Sequence, residues 1–176
     1  IKFNHEPLIP LMSKSLDIKD SSFKCYMYLR DLSTGRTTPT NMTMLALPLS
    51  KSFDEGIGRS VSTFNDLGTS NFITASFDNG VVSAWVTEGA NATGSAPGNR
   101  DAITLVQARS PFEGAPNSTP ANQPTSVDLT SRFEIVEGPE DVVFDVTNAM
   151  SSTLKCDIAN HGFRISFDET EENNAK

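Results

Sequence analysis

Several short stretches of the chain alternate apolar and polar residues with a period of two, which is typical of a strand with one buried face. The clearest stretch covers residues 23–30, where every odd-numbered residue is apolar and the even-numbered ones are charged or tyrosine. It predicts a strand that turns Tyr26 and Tyr28 toward solvent. Further strands are predicted at residues 43–49, 81–87, 102–108, 127–136, 141–145 and 161–167.

Only two helices are predicted, and both are short. One covers residues 8–15 and begins after Pro7, a residue that is tolerated in a first helical turn. The other covers residues 146–155, where Asp145 or Thr147 can cap the first turn. The apolar face of this second helix, at a spacing of four residues, comprises Val146, Met150 and Leu154.

The remaining stretches are rich in Ser, Thr, Asn, Gly and Pro and are predicted as loops at residues 31–40, 88–100 and 110–125. Loops longer than about 12–15 residues commonly bind something. The last two loops, which contain Asn91 and Asn117, are therefore the expected contact surfaces. Many short strands with few helices predict an antiparallel β-sandwich or jelly roll with one or two short helices. We expect residues 1–20 to form an N-terminal arm or short helix and residues 21–176 to form the sandwich domain.

Composition narrows the classes of partner. The chain has 176 residues, of which 37% are hydrophobic and 20% charged, which suits one domain with a real core. Its net charge of −8 repels phosphate groups, so we expect neither nucleic-acid binding nor docking on an anionic membrane. No run of about 18 apolar residues predicts a membrane span.

The two cysteines, Cys25 and Cys156, lie in different predicted elements. They form neither a CxxC motif nor a zinc ligand set. Burial as small apolar side chains is the simplest interpretation. A disulfide between them would require Cα atoms within about 7 Å.

Catalytic motifs are missing from the sequence. Its two histidines, His5 and His161, belong to no HExxH motif, and no GxSxG sequence supplies a nucleophile. The adjacent carboxylates Asp54 and Glu55 would point to opposite faces of a strand, so they do not form a catalytic pair. We therefore expect no enzymatic activity and no cofactor. The same two carboxylates lie in an acidic, Gly-rich turn that could bind a calcium ion together with backbone carbonyls.

A set of short motifs resembles known surface and virion proteins. Residues 144–147 (FDVT), a short helix and residues 160–165 (NHGFRI) resemble a pattern of DNRLRE-type β-sandwich domains in secreted and surface proteins. They are more closely similar to structural proteins of tailed-bacteriophage virions. Four segments follow one another in the same order as in those proteins, over about residues 23–167: 52–58 (SFDEGIG), 70–72 (SNF), Trp85 before a Gly-Ala loop, and 145–147 with 160–163.

These motifs also make sense as structure. Asp145 and Thr147 would end a strand and cap the following helix. Asn160 and Gly162 would form a turn that tolerates a positive φ. Phe163 would then fill the core.

The resemblance implies a jelly-roll-like sandwich with a role in the particle rather than in chemistry. Proteins with this pattern usually carry one more strand after the acidic loop that contains Glu171 and Glu172, whereas this chain ends at Lys176. Either the chain is a fragment or that strand comes from elsewhere. An incomplete sandwich would leave an open edge where a partner strand could add.

The leading hypothesis is a non-catalytic structural component of a phage particle, in the neck, tail, baseplate or fibre attachment. Its expected partners are other virion proteins and further copies of itself, and its expected location is the virion. The alternative is a carbohydrate-binding module that recognises host surface glycan through exposed aromatic residues. The candidates for such a surface are Tyr26, Tyr28 and Trp85.

Overall fold

The computed structural model shows a mostly-β chain with two short helices in the part that it describes. The described residues are 1–30, 40–56, 68–78, 80–94, 96–107, 126–136 and 140–168. The strands are β1 (Tyr26–Leu29), β2 (Met42–Pro48), β3 (Thr74–Asp78), β4 (Val81–Ala84), β5 (Leu105–Gln107), β6 (Ser126–Asp128), β7 (Ser131–Ile135), β8 (Val142–Asp145) and β9 (Phe163–Phe167). The helices are α1 (Ile9–Met12) and α2 (Thr147–Leu154).

All strand pairs in the described residues are antiparallel. The largest sheet has three strands in the order β7-β2-β9, with β2 in the centre. Three further sheets have two strands each, namely β1-β8, β3-β4 and β5-β6. The prediction of a mostly-β fold with antiparallel sheets and short helices is confirmed. These sheets are small and do not close on one another.

The main hydrophobic core joins the β1-β8 sheet to the three-stranded sheet. Phe144 on β8 is fully buried and packs edge-on toward Phe133 on β7, with ring centroids 6.5 Å apart. Alternate residues of each strand supply the core, which is why the period of two in the sequence located these strands. The buried members of this cluster are Met27, Ala46, Ile135, Val142, Phe144, Val146, Ala149 and Phe163.

Strand β2 is buried on both of its faces over its second half. Ala46 contributes to the main core, while Leu45 and Leu47 point to the opposite face and are also buried. This explains why residues 44–49, within the strand predicted at 43–49, show a continuous apolar run rather than a clean alternation. Pro48 ends β2, where its missing N–H costs the sheet least.

A second, smaller cluster explains one wrong prediction. Residues 127–136 were expected to form a single strand, but β6 and β7 are separated at Leu129 and Thr130. Leu129 is 1% exposed and packs with Ile103 and Ile158. The carboxylate of Asp128 accepts a hydrogen bond from the N–H of Thr130, which closes a turn between the two strands.

Several other predictions differ from the structure. The first helix covers four residues, Ile9–Met12, after a 3₁₀ turn at Glu6–Leu8, instead of residues 8–15. The strand expected at 81–87 ends at Ala84. The N–H groups of Val86 and Thr87 donate to the carboxylate of Asp101 and therefore do not continue a strand ladder. Strand β3 was not predicted at all. The loop at 110–125 lies outside the described residues.

Candidate functional site

The segment between α2 and β9 anchors the N-terminal arm. The side-chain amide of Asn160 donates to the carbonyl oxygen of Phe3 at 2.8 Å and also contacts the ring of His5. The N–H of Phe163 donates to the carbonyl oxygen of Ile1 at 2.7 Å, and the amino group of Ile1 donates back to the Phe163 carbonyl at 2.9 Å. The NHGF motif therefore holds residues that are more than 150 positions away in the sequence.

Gly162 makes this close approach possible. Its φ is +88°, a conformation that favours glycine, as the turn prediction required. A Cβ atom at this position would overlap the carbonyl oxygen of Ile1 and lie 3.0 Å from the Cα of Lys2. Burial lowers the pKa of the Ile1 amino group, with the nearby Glu55 carboxylate acting in the opposite direction.

The backbone of β9 has one paired edge and one outer edge. Leu49 donates to the carbonyl of Gly162 and Asp168 donates to that of Thr43, so the even-numbered residues of β9 face β2. The odd-numbered residues therefore direct their N–H and C=O groups outward. At Phe163 these groups meet Ile1, and the reciprocal exchange of two hydrogen bonds is that of an antiparallel pair.

Asp145 and Thr147 connect β8, α2 and β1. Neither Asp145 nor Thr147 caps α2 as predicted, because the cap position is Val146, which has no polar side chain. The Asp145 carboxylate instead accepts the N–H of Thr147 at 3.0 Å. Hydrogen bonds from Thr147 hold the pKa of Asp145 below its usual value. The hydroxyl oxygen of Thr147 accepts the N–H of Cys25 at 2.9 Å, so this residue joins the start of β1 to the helix.

The hairpin formed by β3 and β4 exposes many apolar side chains. All four residues of β4 are exposed, and β4 pairs only with β3 among the described strands. Phe77 and Val82 are directly opposite each other and share one face of the hairpin, whereas Val81 points to the other face. Exposed apolar side chains that adjoin one another on a surface are a typical feature of contact sites. The exposed fractions are 65% for Phe72, 57% for Ile73, 46% for Phe77, 70% for Val81, 54% for Val82 and 45% for Val86.

The predicted calcium ligands hold this hairpin and the arm in place. The N–H of Asp54 donates to the carbonyl of Ala75, and its carboxylate accepts the N–H of Phe77 at 2.8 Å. The carboxylate of Glu55 accepts the N–H of Lys2 at 3.1 Å. No group of three or more potential metal ligands occurs within the described ranges, and the calcium site stays a prediction.

Trp85 closes the base of the same hairpin. Its indole N–H donates to the carbonyl of Asn71 at 2.9 Å, and its ring is half-buried. The side-chain oxygen of Asn71 accepts the N–H groups of Ile73 and Thr74, both at 2.9 Å. These contacts give Trp85 a structural role, and they fix the start of β3.

Sequence reasoning missed Asp101, whose side chain is fully buried. Its carboxylate accepts the N–H groups of Val86 at 2.8 Å, Thr87 at 2.9 Å and Ala92 at 3.3 Å. The ammonium of Lys51 lies 3.9 Å away and also donates to a backbone carbonyl. A single acidic residue at the start of a predicted strand carries no signal that separates it from a solvated turn residue.

Of the two predicted contact residues on the long loops, Asn91 and Asn117, the structure describes only Asn91. Asn91 is half-buried, and its amide donates to the carbonyl of Glu88 at 3.1 Å. It therefore helps to fold its own loop. Asn117 lies outside the described residues.

Tyr26 and Tyr28 lie on the outer face of β1, as predicted. They are 47% and 68% exposed, and Met27 between them is buried. Their ring centroids are 6.5 Å apart, with the ring planes inclined at 59°. Two adjacent rings at this angle offer separate stacking surfaces rather than one flat platform.

Cys25 and Cys156 are both free thiols, so they do not form a disulfide with each other. Cys25 is half-buried, and burial raises the pKa of its thiol, with the Asp145 charge adding to the effect. Cys156 is exposed and has a φ of +61°, contrary to the expectation that both thiols are buried.

Comparison with known proteins gives no assignment: a scan against family models, a search of curated proteins and a search of solved structures each found no match. Among the described helices, none is long and apolar enough to cross a membrane.

Proposed function

We propose that this chain is a non-catalytic structural component of a bacteriophage particle that acts through protein–protein contacts. It would sit in the neck, tail, baseplate or fibre attachment, with a jelly-roll-like sandwich as its framework. The ordered set of motifs carries the proposed location in a particle. The exposed β3–β4 hairpin carries the proposed mode of action.

The hairpin supports an assembly role because it is firmly attached yet incompletely covered. Asp54, Trp85 and Asp101 tie its base and the following turn to the rest of the chain. A two-stranded hairpin alone is only marginally stable in water, and further strands or another layer stabilise it. A neighbouring protein of the particle that covers Phe77 and Val82 would supply that layer, since these two residues face each other across the hairpin.

Incorporation into particles tests this proposal. Val82→Asp should reduce the number of tagged chains per purified particle by at least tenfold, because it places a charge in the proposed contact. The matched control is Val136→Asp, since Val136 is 56% exposed, against 54% for Val82, and lies beyond the end of β7. Equal incorporation of both variants, or absence of the chain from particles, would count against the proposal.

The two tyrosines on β1 favour a second candidate, a module that binds host surface glycan. Exposed aromatic rings stack on sugar rings, and Tyr28 is 68% exposed. The double variant Tyr26→Ala/Tyr28→Ala should then abolish binding to purified host polysaccharide. Phe72→Ala is the control, because Phe72 is 65% exposed, close to the value for Tyr28, but lies beside the hairpin. Binding that survives the double variant would exclude this candidate.

A further inference from the structure

We propose that the outer edge of β9, at Ile165 and Phe167, binds an extended apolar segment of another protein as an added antiparallel strand. This inference rests on the assembly role proposed above and names a second contact within it. It assigns the added strand to one edge of β9 and gives that strand a direction and a register.

The backbone of β9 offers the required groups. Ile165 and Phe167 direct their N–H and C=O groups away from β2, because the even-numbered residues of β9 form the ladder with that strand. Within the part of the chain that the structure describes, no backbone group pairs with these outward groups. Such an edge is a template for a further strand.

Ile1 shows how a strand would lie on this edge. It forms one antiparallel pair with Phe163, and Gly162 leaves the space for its backbone. Consider an added strand that runs in the same direction as Ile1 and in the same register. Its residue opposite Ile165 would then lie two positions before the position that Ile1 occupies opposite Phe163. The residue opposite Phe167 would come two positions earlier still. The arm thus fixes both the direction and the register of the added strand.

The side chains on this edge determine the chemistry of the partner. Phe163 belongs to the buried core and Ile165 packs against it, while Phe167 on the same face is 39% exposed. Alternate side chains of an added strand would extend this face and cover Phe167. The fitting partner is therefore a short extended segment with apolar residues at every second position.

A second copy of the chain does not fit this edge in the same way. A two-fold axis at Ile165 would pair Phe163 of each copy with Phe167 of the other. The outward groups of Phe163 are already bonded to Ile1, so that pairing would require the arm to leave. A strand from a different protein needs no such displacement.

The test measures binding of a capped seven-residue peptide of alternating threonine and valine to the full chain, by titration calorimetry. We expect saturable binding and slower amide exchange at Ile165 and Phe167 in the complex. Phe167→Pro should weaken binding at least tenfold, since it removes an outward N–H group, and its fold is checked by circular dichroism. Ser166→Pro removes an N–H group that faces β2, so it should instead lower the melting temperature sharply.

A change in the peptide gives a control that leaves the protein untouched. N-methylation of the amides on the edge of the peptide that pairs with β9 should abolish binding, whereas methylation of the other edge should not. The inference would be overturned if neither methylation of the peptide nor Phe167→Pro weakened binding. It would also be overturned if the free chain formed a dimer and Phe167→Pro abolished that dimer. If the edge fails this test while Val82→Asp still blocks incorporation, the assembly role stands without it.

Discussion

Gly162→Ala should detach the N-terminal arm and destabilise the fold more than a glycine at positive φ alone would explain. The backbone at Gly162 has a φ of +88°, and the arm passes directly over it. The new methyl group would overlap the carbonyl oxygen of Ile1. Relief of this overlap requires Ile1 and Lys2 to move off the β9 edge.

The magnitude follows from two contributions. A non-glycine residue in the left-handed region costs about 1–2 kcal/mol. Loss of the two hydrogen bonds between Ile1 and Phe163 costs about 1 kcal/mol each. We therefore expect the free energy of unfolding to fall by about 3–4 kcal/mol in this variant.

Gly80→Ala is the matched control for this prediction. Gly80 has a φ of +83°, but no atom lies within 4 Å of a Cβ at that position. Its substitution should cost only the backbone contribution, about 1–2 kcal/mol. Urea unfolding followed by circular dichroism measures both values. Equal losses in the two variants would refute the argument that the arm is seated on Gly162.

Three further predictions concern the core, the buried carboxylate and the thiols. Phe144→Ala should lower the free energy of unfolding by about 3–5 kcal/mol, since the ring is 0% exposed, and a loss under about 1.5 kcal/mol in urea would contradict this. Asp101→Asn should lower the free energy of unfolding by about 2–3 kcal/mol, because an NH2 group replaces one of the oxygens that accept N–H groups. The same variant should speed proteolysis of the loop at residues 86–92, and unchanged cleavage would disprove this role of Asp101. Iodoacetamide should label Cys156 faster than Cys25 in the folded chain, because burial raises the pKa of Cys25, and equal rates by mass spectrometry would contradict the assigned burial.

The sequence was most informative where one strand face is buried and the other is wet. The alternation around Met27 located β1 and the exposure of its two tyrosines, because local burial follows the pleat directly. Helix α2 was found for a similar reason, since Leu154 and the preceding Val146 are buried as predicted. The third predicted residue of that face, Met150, is only half-buried, and Ala149 and Ser152 are buried in its place. In both cases the signal is contained in a few consecutive residues.

Elements that depend on distant partners were missed or misjudged. Strand β3 contains small and polar residues such as Ala75 and Ser76, and its pairing with β4 rather than its pattern defines it. The break before β7 depends on a turn at Asp128 and on burial of Leu129 in a separate cluster. The seating of Ile1 on β9 joins residues 162 positions apart, which no local pattern can indicate.

Of the two candidate contact surfaces, only one could be predicted from the sequence. The tyrosine face of β1 could be predicted, because it needs only the alternation of one strand. The exposed hairpin could not, since apolar residues such as Val81 and Val82 suggest burial when they are seen in sequence alone. The DVT and NHGF motifs were expected to be structural, but the contacts of Thr147 with Cys25 and of Asn160 with Phe3 could be seen only in the fold.

Electron cryomicroscopy of the intact native particle would show whether this chain is one of its components. We expect density for the chain packed between other proteins, with a neighbour covering the β3–β4 hairpin around Phe77 and Val82. A chain that is absent from every particle and remains a free monomer in solution would contradict the assembly role, and it would favour the glycan-binding role of Tyr26 and Tyr28.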